Sequence, residues 1–127
     1  MKQLLFLLAL LVGLGCQSQV KTSAQQPTGT VEVVRFKLKD GISDQEGRKK
    51  LLALNECIKE FNGFISRSLT VNEAGEWLDL VYWTSKEAAL KAASEVSRDP
   101  KAIASFSVID ESTMSMSHYS LVQSFNN

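Results

Sequence analysis

The chain has 127 residues, 44% of them hydrophobic and 22% charged, which is enough for one globular core and too apolar for a disordered protein. Its 14 basic residues equal its 14 acidic ones, and no basic stretch stands out. The charge therefore gives no reason to expect binding to nucleic acid or to an anionic membrane surface. Two cysteines and one histidine are too few for a Cys/His zinc site or a disulfide framework, and we predict no metal and no cofactor.

The N-terminal stretch MKQLLFLLALLVGLGCQSQ has the pattern of a signal peptide. Its apolar run, Leu4–Leu14, is too short to act as a stop-transfer helix. The following Cys16 makes it resemble a bacterial lipoprotein signal, in which the thiol is diacylated, although Gly13 stands where leucine is usual. We predict that residues 1–15 are removed and that Cys16 carries the lipid. The alternatives are secretion in soluble form after cleavage at Ser18, or an uncleaved anchor.

This signal predicts a location in the cell envelope, on the periplasmic or outer-membrane side, with the lipid anchor as the protein's only contact with the membrane. Residues 16–30 are polar and aperiodic, which is typical of a flexible tether. We therefore place one folded domain at residues 31–124.

Hydrophobic periodicity and capping signals predict the elements of that domain in chain order. A strand, TVEVVRFKLK, is followed by a helix that starts with a capping box at Ser43 and runs from about Asp44 to Asn62, ended by Gly63. Next come strands at Phe64–Asn72 and around Trp77–Trp83, a helix beginning after Thr84 or Ser85, a short helix from Pro100 to Phe106, a turn at Asp110–Ser112 and a last strand at Met114–Val122. This order predicts an α+β, ferredoxin-like βαββαβ sandwich.

Both faces of the third predicted strand are apolar, so the uncovered side of the sheet would be an apolar patch in water. We expect a second copy of the chain to cover it, sheet against sheet, in a two-fold homodimer that forms an α/β barrel. Because the alanine-rich second helix needs an apolar partner, we assign Leu78, Leu80 and Tyr82 to the helix side. Trp77 and Trp83 would then point toward the partner sheet.

The stretches FNGFISRSLTVNEAG, EWLDLVYWTSKEAALKAA and MSMSHYSLV resemble the antibiotic biosynthesis monooxygenase-like (ABM) group of the dimeric α+β barrel superfamily. The resemblance covers roughly residues 31–123 and implies a barrel around an apolar cavity. Some members of that superfamily oxidise polycyclic aromatics without metal or flavin, others degrade haem, and many have no assigned activity. The haem-degrading branch holds iron through a histidine late in the second helical region, where this chain has SRDPKAIASF and no histidine.

Four residues are candidates for a pocket: Arg35, Asp79, Trp83 and His118. An inward-facing strand carboxylate needs a partner, so Asp79 either forms a structural ion pair with Arg35 or Arg67, or supplies the polar spot of a ligand site. His118 is either a general base or a histidine hydrogen-bonded to a neighbouring strand or subunit. Trp83 is either a core residue or a stacking platform.

Three functions remain open at this point. The first is a protein of unassigned activity that binds a small apolar molecule in the barrel. The second is a cofactor-independent monooxygenase acting on an aromatic substrate. The third is a structural envelope protein without catalysis, whose interior would be solidly packed.

Overall fold

The computed structural model describes residues 29–125, so the predicted signal peptide, Cys16 and almost all of the tether lie outside the described residues. Within that range, no helix is long and apolar enough to cross a membrane.

The elements are β1 (Thr30–Leu38), α1 (Asp44–Ala53), α2 (Asn55–Ile58), β2 (Phe64–Val71), β3 (Glu76–Trp83), α3 (Lys86–Val96), α4 (Pro100–Phe106) and β4 (Ile109–Ser120). The strands form one antiparallel sheet in the order β2-β3-β1-β4, and the helices pack on one of its faces. The predicted α+β, ferredoxin-like fold is therefore confirmed.

The predicted helix starts are set by side-chain caps. The Ser43 hydroxyl accepts a hydrogen bond from the Glu46 amide at 3.1 Å, and the Ser85 hydroxyl accepts one from the Ala88 amide at the same distance. Each cap satisfies an amide that would otherwise lack a partner at the first helical turn. Asp99 does the same for α4, with Pro100 at the first helical position.

Two predicted boundaries are wrong for local reasons. The single helix over Asp44–Asn62 is interrupted at Leu54, and helical structure ends at Ile58, ahead of the left-handed Gly63 (φ 86°). The turn expected at Asp110–Ser112 is an irregularity inside β4, where the Asp110 carboxylate accepts hydrogen bonds from the Ser112 amide and hydroxyl. The pairing of β1 with β4 shifts register beside it, so the strand continues instead of stopping.

The assignment of the two faces of β3 is also wrong. Trp77, Val81 and Trp83 are each no more than 2% exposed and pack beneath the helices, whereas Leu78 and Leu80 lie half-buried on the other face. Both faces are apolar, so side-chain size decides between them. The small residues of α3 leave a space that a large flat indole fills, and this close packing favours the tryptophan face.

The other face of the sheet has a central apolar stripe, which no described helix covers. Its members come from neighbouring positions of β1 and β3 and are half-buried: Val31, Val33, Leu78, Leu80 and Tyr82. We call this set the open-face stripe. It has the position that the predicted homodimer requires, and the dimer itself stays a prediction.

Candidate functional site

A cavity of about 470 Å³ lies inside the single chain, between the sheet and the helices. Its walls come from both core clusters and are mainly apolar: Val34, Phe36, Val81, Trp83, Ile109, Met114 and Met116 from the sheet, and Leu51, Leu54, Ile58, Ala92, Ala93, Val96, Ile103 and Phe106 from the helices. The exposed side chains of Ile103, Met114 and Met116 mark its open side. The cavity therefore lies between the tryptophan face of β3 and the chain's own helices, and not between two sheets as we expected.

Two buried carboxylates, Glu32 and Asp79, interrupt the apolar wall. Asp79 is paired with Arg67 of β2, whose guanidinium donates from Nε to Oδ1 at 2.9 Å and from Nη2 to Oδ2 at 2.7 Å. The side chains are 10% and 4% exposed. Such a two-pronged pair fits the planar guanidinium to the carboxylate and satisfies both oxygens.

The same guanidinium ties the sheet to the interruption between α1 and α2. Its Nη1 donates to the Leu51 carbonyl at 2.9 Å and to Oδ1 of Asn55 at 2.7 Å. Arg67 therefore holds Asp79 and the end of α1 in fixed positions around one edge of the cavity.

Glu32 of β1 is paired with His118 of β4 across the sheet. The Nε2 atom of His118 lies 2.9 Å from Oε2 of Glu32, and both side chains are largely buried. Burial raises the pKa of the Glu32 carboxyl above its ordinary value of 4.5, and the charge of Asp79 adds to this rise. The hydrogen bond and charge of His118, and the nearby Trp83 indole, act in the opposite direction.

The indole N–H of Trp83 is the one buried side-chain polar atom without a hydrogen-bond partner among the described residues. It approaches the Glu32 carboxylate closely enough to lower its pKa, but the two groups do not form a hydrogen bond of acceptable geometry. The Trp83 indole and the Glu32 carboxylate are therefore close neighbours in the buried wall.

The structure places two of the four predicted pocket residues, Asp79 and Trp83, in the cavity wall. His118 stands behind Glu32 as its partner and is not part of the lining. Arg35 lies on the opposite face of the sheet, where its Nε is 3.5 Å from Glu76 in an exposed ion pair. Of the two partners considered for Asp79, the structure selects Arg67.

Glu32 was missed as a site residue, although the sequence carries a signal for it. It occupies the same strand phase as Val34 and Phe36, so the alternation that assigns those side chains to the core also assigns a carboxylate there. A charged residue in the buried phase of a strand is a candidate for function because it needs a partner.

Among residues 29–125, no group of three or more histidine, cysteine, aspartate or glutamate side chains is arranged to hold a metal ion. The described lining of the cavity contains no histidine, so the iron ligand of the haem-degrading branch has no counterpart in it. The thiol of Cys57 donates to Asp99 at 3.3 Å, and burial raises its pKa, which disfavours the reactive thiolate.

The raised pKa of Glu32 predicts a specific pH dependence of stability. A carboxyl with a higher pKa in the folded than in the unfolded state contributes its full stabilisation below pH 4.5 and loses it as pH rises through the folded-state value. Glu32→Gln cannot ionise, so its free energy of unfolding should rise relative to that of the unaltered protein as pH increases above 4.5. Urea unfolding of both proteins across this range measures the difference, and parallel pH profiles would contradict the prediction.

No protein-family model matches the sequence, and no curated protein matches it. Solved structures do resemble it. SnoaB, a cofactor-independent oxygenase from Streptomyces nogalater, superposes with a TM-score of 0.64 at 16% identity, over 79% of this chain and 99% of that one. A protein from Chloroflexus aurantiacus that is described as an antibiotic biosynthesis monooxygenase superposes with a TM-score of 0.56 at 11% identity, over 77% of this chain and 97% of that one.

A third similar structure is a variant of MhuD with two manganese protoporphyrin IX molecules per active site, with a TM-score of 0.59 at 18% identity, over 77% of this chain and 99% of that one. This chain has the fold of these ABM-like proteins. At such identities the likeness establishes the fold and leaves the activity to be argued from the site.

Proposed function

We propose that this ABM-like protein binds a small apolar molecule in the cavity between its sheet and its helices. The observation that carries the proposal is the cavity itself, since about 470 Å³ of mainly apolar space with a few polar groups is the usual form of a small-molecule site. The same space disfavours the alternative of a structural envelope protein, for which a packed interior was expected.

Filling the cavity tests this proposal. Ala93 of α3 lines it and is only half-buried, so Ala93→Phe should occupy the space and abolish binding of the neutral fluorescent probe N-phenyl-1-naphthylamine while leaving the melting temperature near that of the unaltered protein. Ala104→Phe, at an exposed position of α4, is the matched control and should bind as before. Unchanged binding by Ala93→Phe would show that the probe does not occupy this cavity.

A second candidate function, cofactor-independent monooxygenation of an aromatic substrate, is favoured by Glu32. Oxidation without a cofactor requires the substrate to become a carbanion, so the site must provide a base. A buried carboxylate with a raised pKa, held by His118 at the cavity wall, has the position and the proton affinity for that role. Consumption of dissolved oxygen in the presence of a bound aromatic phenol, and its loss in Glu32→Gln, would support the monooxygenase function. Binding of the phenol without oxygen consumption would contradict it and support binding alone.

We also propose that the protein is secreted and anchored to the cell envelope by lipid on Cys16, on the strength of the signal-like sequence before it. Cells grown with a clickable palmitate should label the protein, and Cys16→Ala should abolish both the label and recovery in the membrane fraction. Cys57→Ala is the matched control, because it removes the other cysteine and should keep both. Label that persists in Cys16→Ala would overturn this assignment.

The open-face stripe supports the further proposal of a homodimer. A second copy would bring an identical apolar stripe against the first, which removes both from water in a single isologous contact. Polar residues border the stripe on the two outer strands, including Ser68 of β2 and Ser117 of β4, as expected for the rim of an interface.

A further inference from the structure

The open side of the cavity carries two methionines of the edge strand β4, Met114 and Met116. Both line the cavity, and they are 46% and 47% exposed. The alternate residues Ser115 and Ser117 pair with positions on the other face of β1, so the sequence Met-Ser-Met-Ser places its two thioethers on the cavity side. Both methionines are therefore in contact with solvent and with the space that a ligand would fill.

An exposed thioether reacts with a peroxide in one step. The sulfur lone pair attacks a peroxide oxygen, the S–O bond forms as the O–O bond breaks, and the second oxygen leaves as water. The sulfur is oxidised by two electrons and the peroxide is reduced by the same two. The product is a polar, chiral sulfoxide in the place of a flexible apolar side chain.

The other oxidisable groups among the described residues are less accessible. The two tryptophans are no more than 2% exposed. The thiol of Cys57 donates to a neighbouring carboxylate, and burial raises its pKa, which lowers the fraction of reactive thiolate. The remaining methionine of the sequence is Met1, in the predicted signal peptide. A peroxide should therefore act first on Met114 and Met116.

We propose that Met114 and Met116 form a peroxide-sensitive modification site on the open side of the cavity, where oxidation of their thioethers lowers the affinity for apolar ligands. This inference rests on the proposed binding function and adds its regulation. A sulfoxide in the lining is hydrated in the empty cavity, so an apolar ligand that enters must remove water from a polar group without replacing its hydrogen bonds.

Binding of N-phenyl-1-naphthylamine before and after treatment with hydrogen peroxide tests this site. Peptide mass spectrometry should show one added oxygen on each of the two methionines. The dissociation constant of the probe should rise about tenfold, as expected for desolvation of a polar group. Methionine sulfoxide reductases, supplied with a dithiol that is oxidised to its disulfide, should return the sulfoxides to thioethers and restore the original affinity.

Leucine variants attribute the loss to these two sulfurs. Met114→Leu/Met116→Leu keeps an apolar lining of similar volume, and its affinity after peroxide should equal that of its own untreated form. Cys57→Ala is the matched control, because it removes the thiol outside the cavity and should stay as sensitive to peroxide as the unaltered protein. An equal loss of affinity in the leucine double variant would place the sensitive group elsewhere and overturn the proposal.

The probe titration separates this proposal from the binding function. Oxidation of both methionines with unchanged affinity would overturn the modification site and leave the binding function standing, and so would methionines that resist peroxide. Failure of the untreated protein to bind the probe would contradict the binding function itself, and this inference with it.

Discussion

Replacing Arg67 with methionine is expected to lower the free energy of unfolding by about 3–5 kcal/mol, because it leaves the Asp79 carboxylate buried without its partner. The change also removes the hydrogen bonds to the Leu51 carbonyl and Asn55, so the end of α1 loses its attachment to the sheet. Urea unfolding followed by tryptophan fluorescence measures the loss, which is a large part of a typical domain stability of about 5–15 kcal/mol.

The double variant Arg67→Met/Asp79→Leu separates the buried charge from the lost packing. With both charges removed, the stability should recover well above that of the single variant, since a buried ion pair can often be replaced by apolar residues at little cost. Lys59→Met is the control, because it breaks the exposed pair with Glu56 and should have no measurable effect. A single variant as stable as the unaltered protein would show that Asp79 does not depend on Arg67.

The sequence predicted the order of elements because their signals are local. A capping serine, a strand with alternating side chains or a proline after an aspartate acts within a few residues, and Ser43, Ser85 and Pro100 all occupy their predicted roles. No such local signal marks the interruption at Leu54. It lies next to the Leu51 carbonyl, which accepts a hydrogen bond from Arg67 of β2. Non-local contacts of this kind cannot be read from periodicity.

The candidate site was only partly predictable for the same reason. Periodicity places Asp79 and Trp83 on one face of β3, but it does not say which face the helices cover when both are apolar. That choice depends on how an indole fits against Ala89 and Ala92, which is a property of three-dimensional packing. Arg35 was a candidate because an inward-facing Asp79 needs a basic partner, and the sequence alone did not distinguish Arg35 from Arg67.

Because the tryptophan face of β3 lies in the core and its leucine face is open, substitutions on the two faces should have different effects. Trp77 belongs to the core of the single chain, where its ring is stacked on Phe36 at 6.2 Å and lies beneath the Arg48 guanidinium. Trp77→Ala should therefore lower the free energy of unfolding by about 3–5 kcal/mol, as expected for truncation of a buried aromatic residue. The assembled mass in sedimentation should stay that of the dimer under conditions where the variant is folded.

Leu80→Arg, on the open-face stripe, should have the opposite pattern. An arginine on a half-buried position that faces solvent in the single chain perturbs the fold little, but two copies would bring like charges together in an otherwise apolar interface. Sedimentation of residues 25–127 at micromolar concentration should then give the monomer mass, against twice that mass for the unaltered protein. Leu52→Arg is the control, since Leu52 is 52% exposed on α1 and should leave the dimer intact. A monomer for the unaltered protein would refute the dimer, whereas loss of the dimer in Trp77→Ala alone would place the interface on the helix side of the sheet.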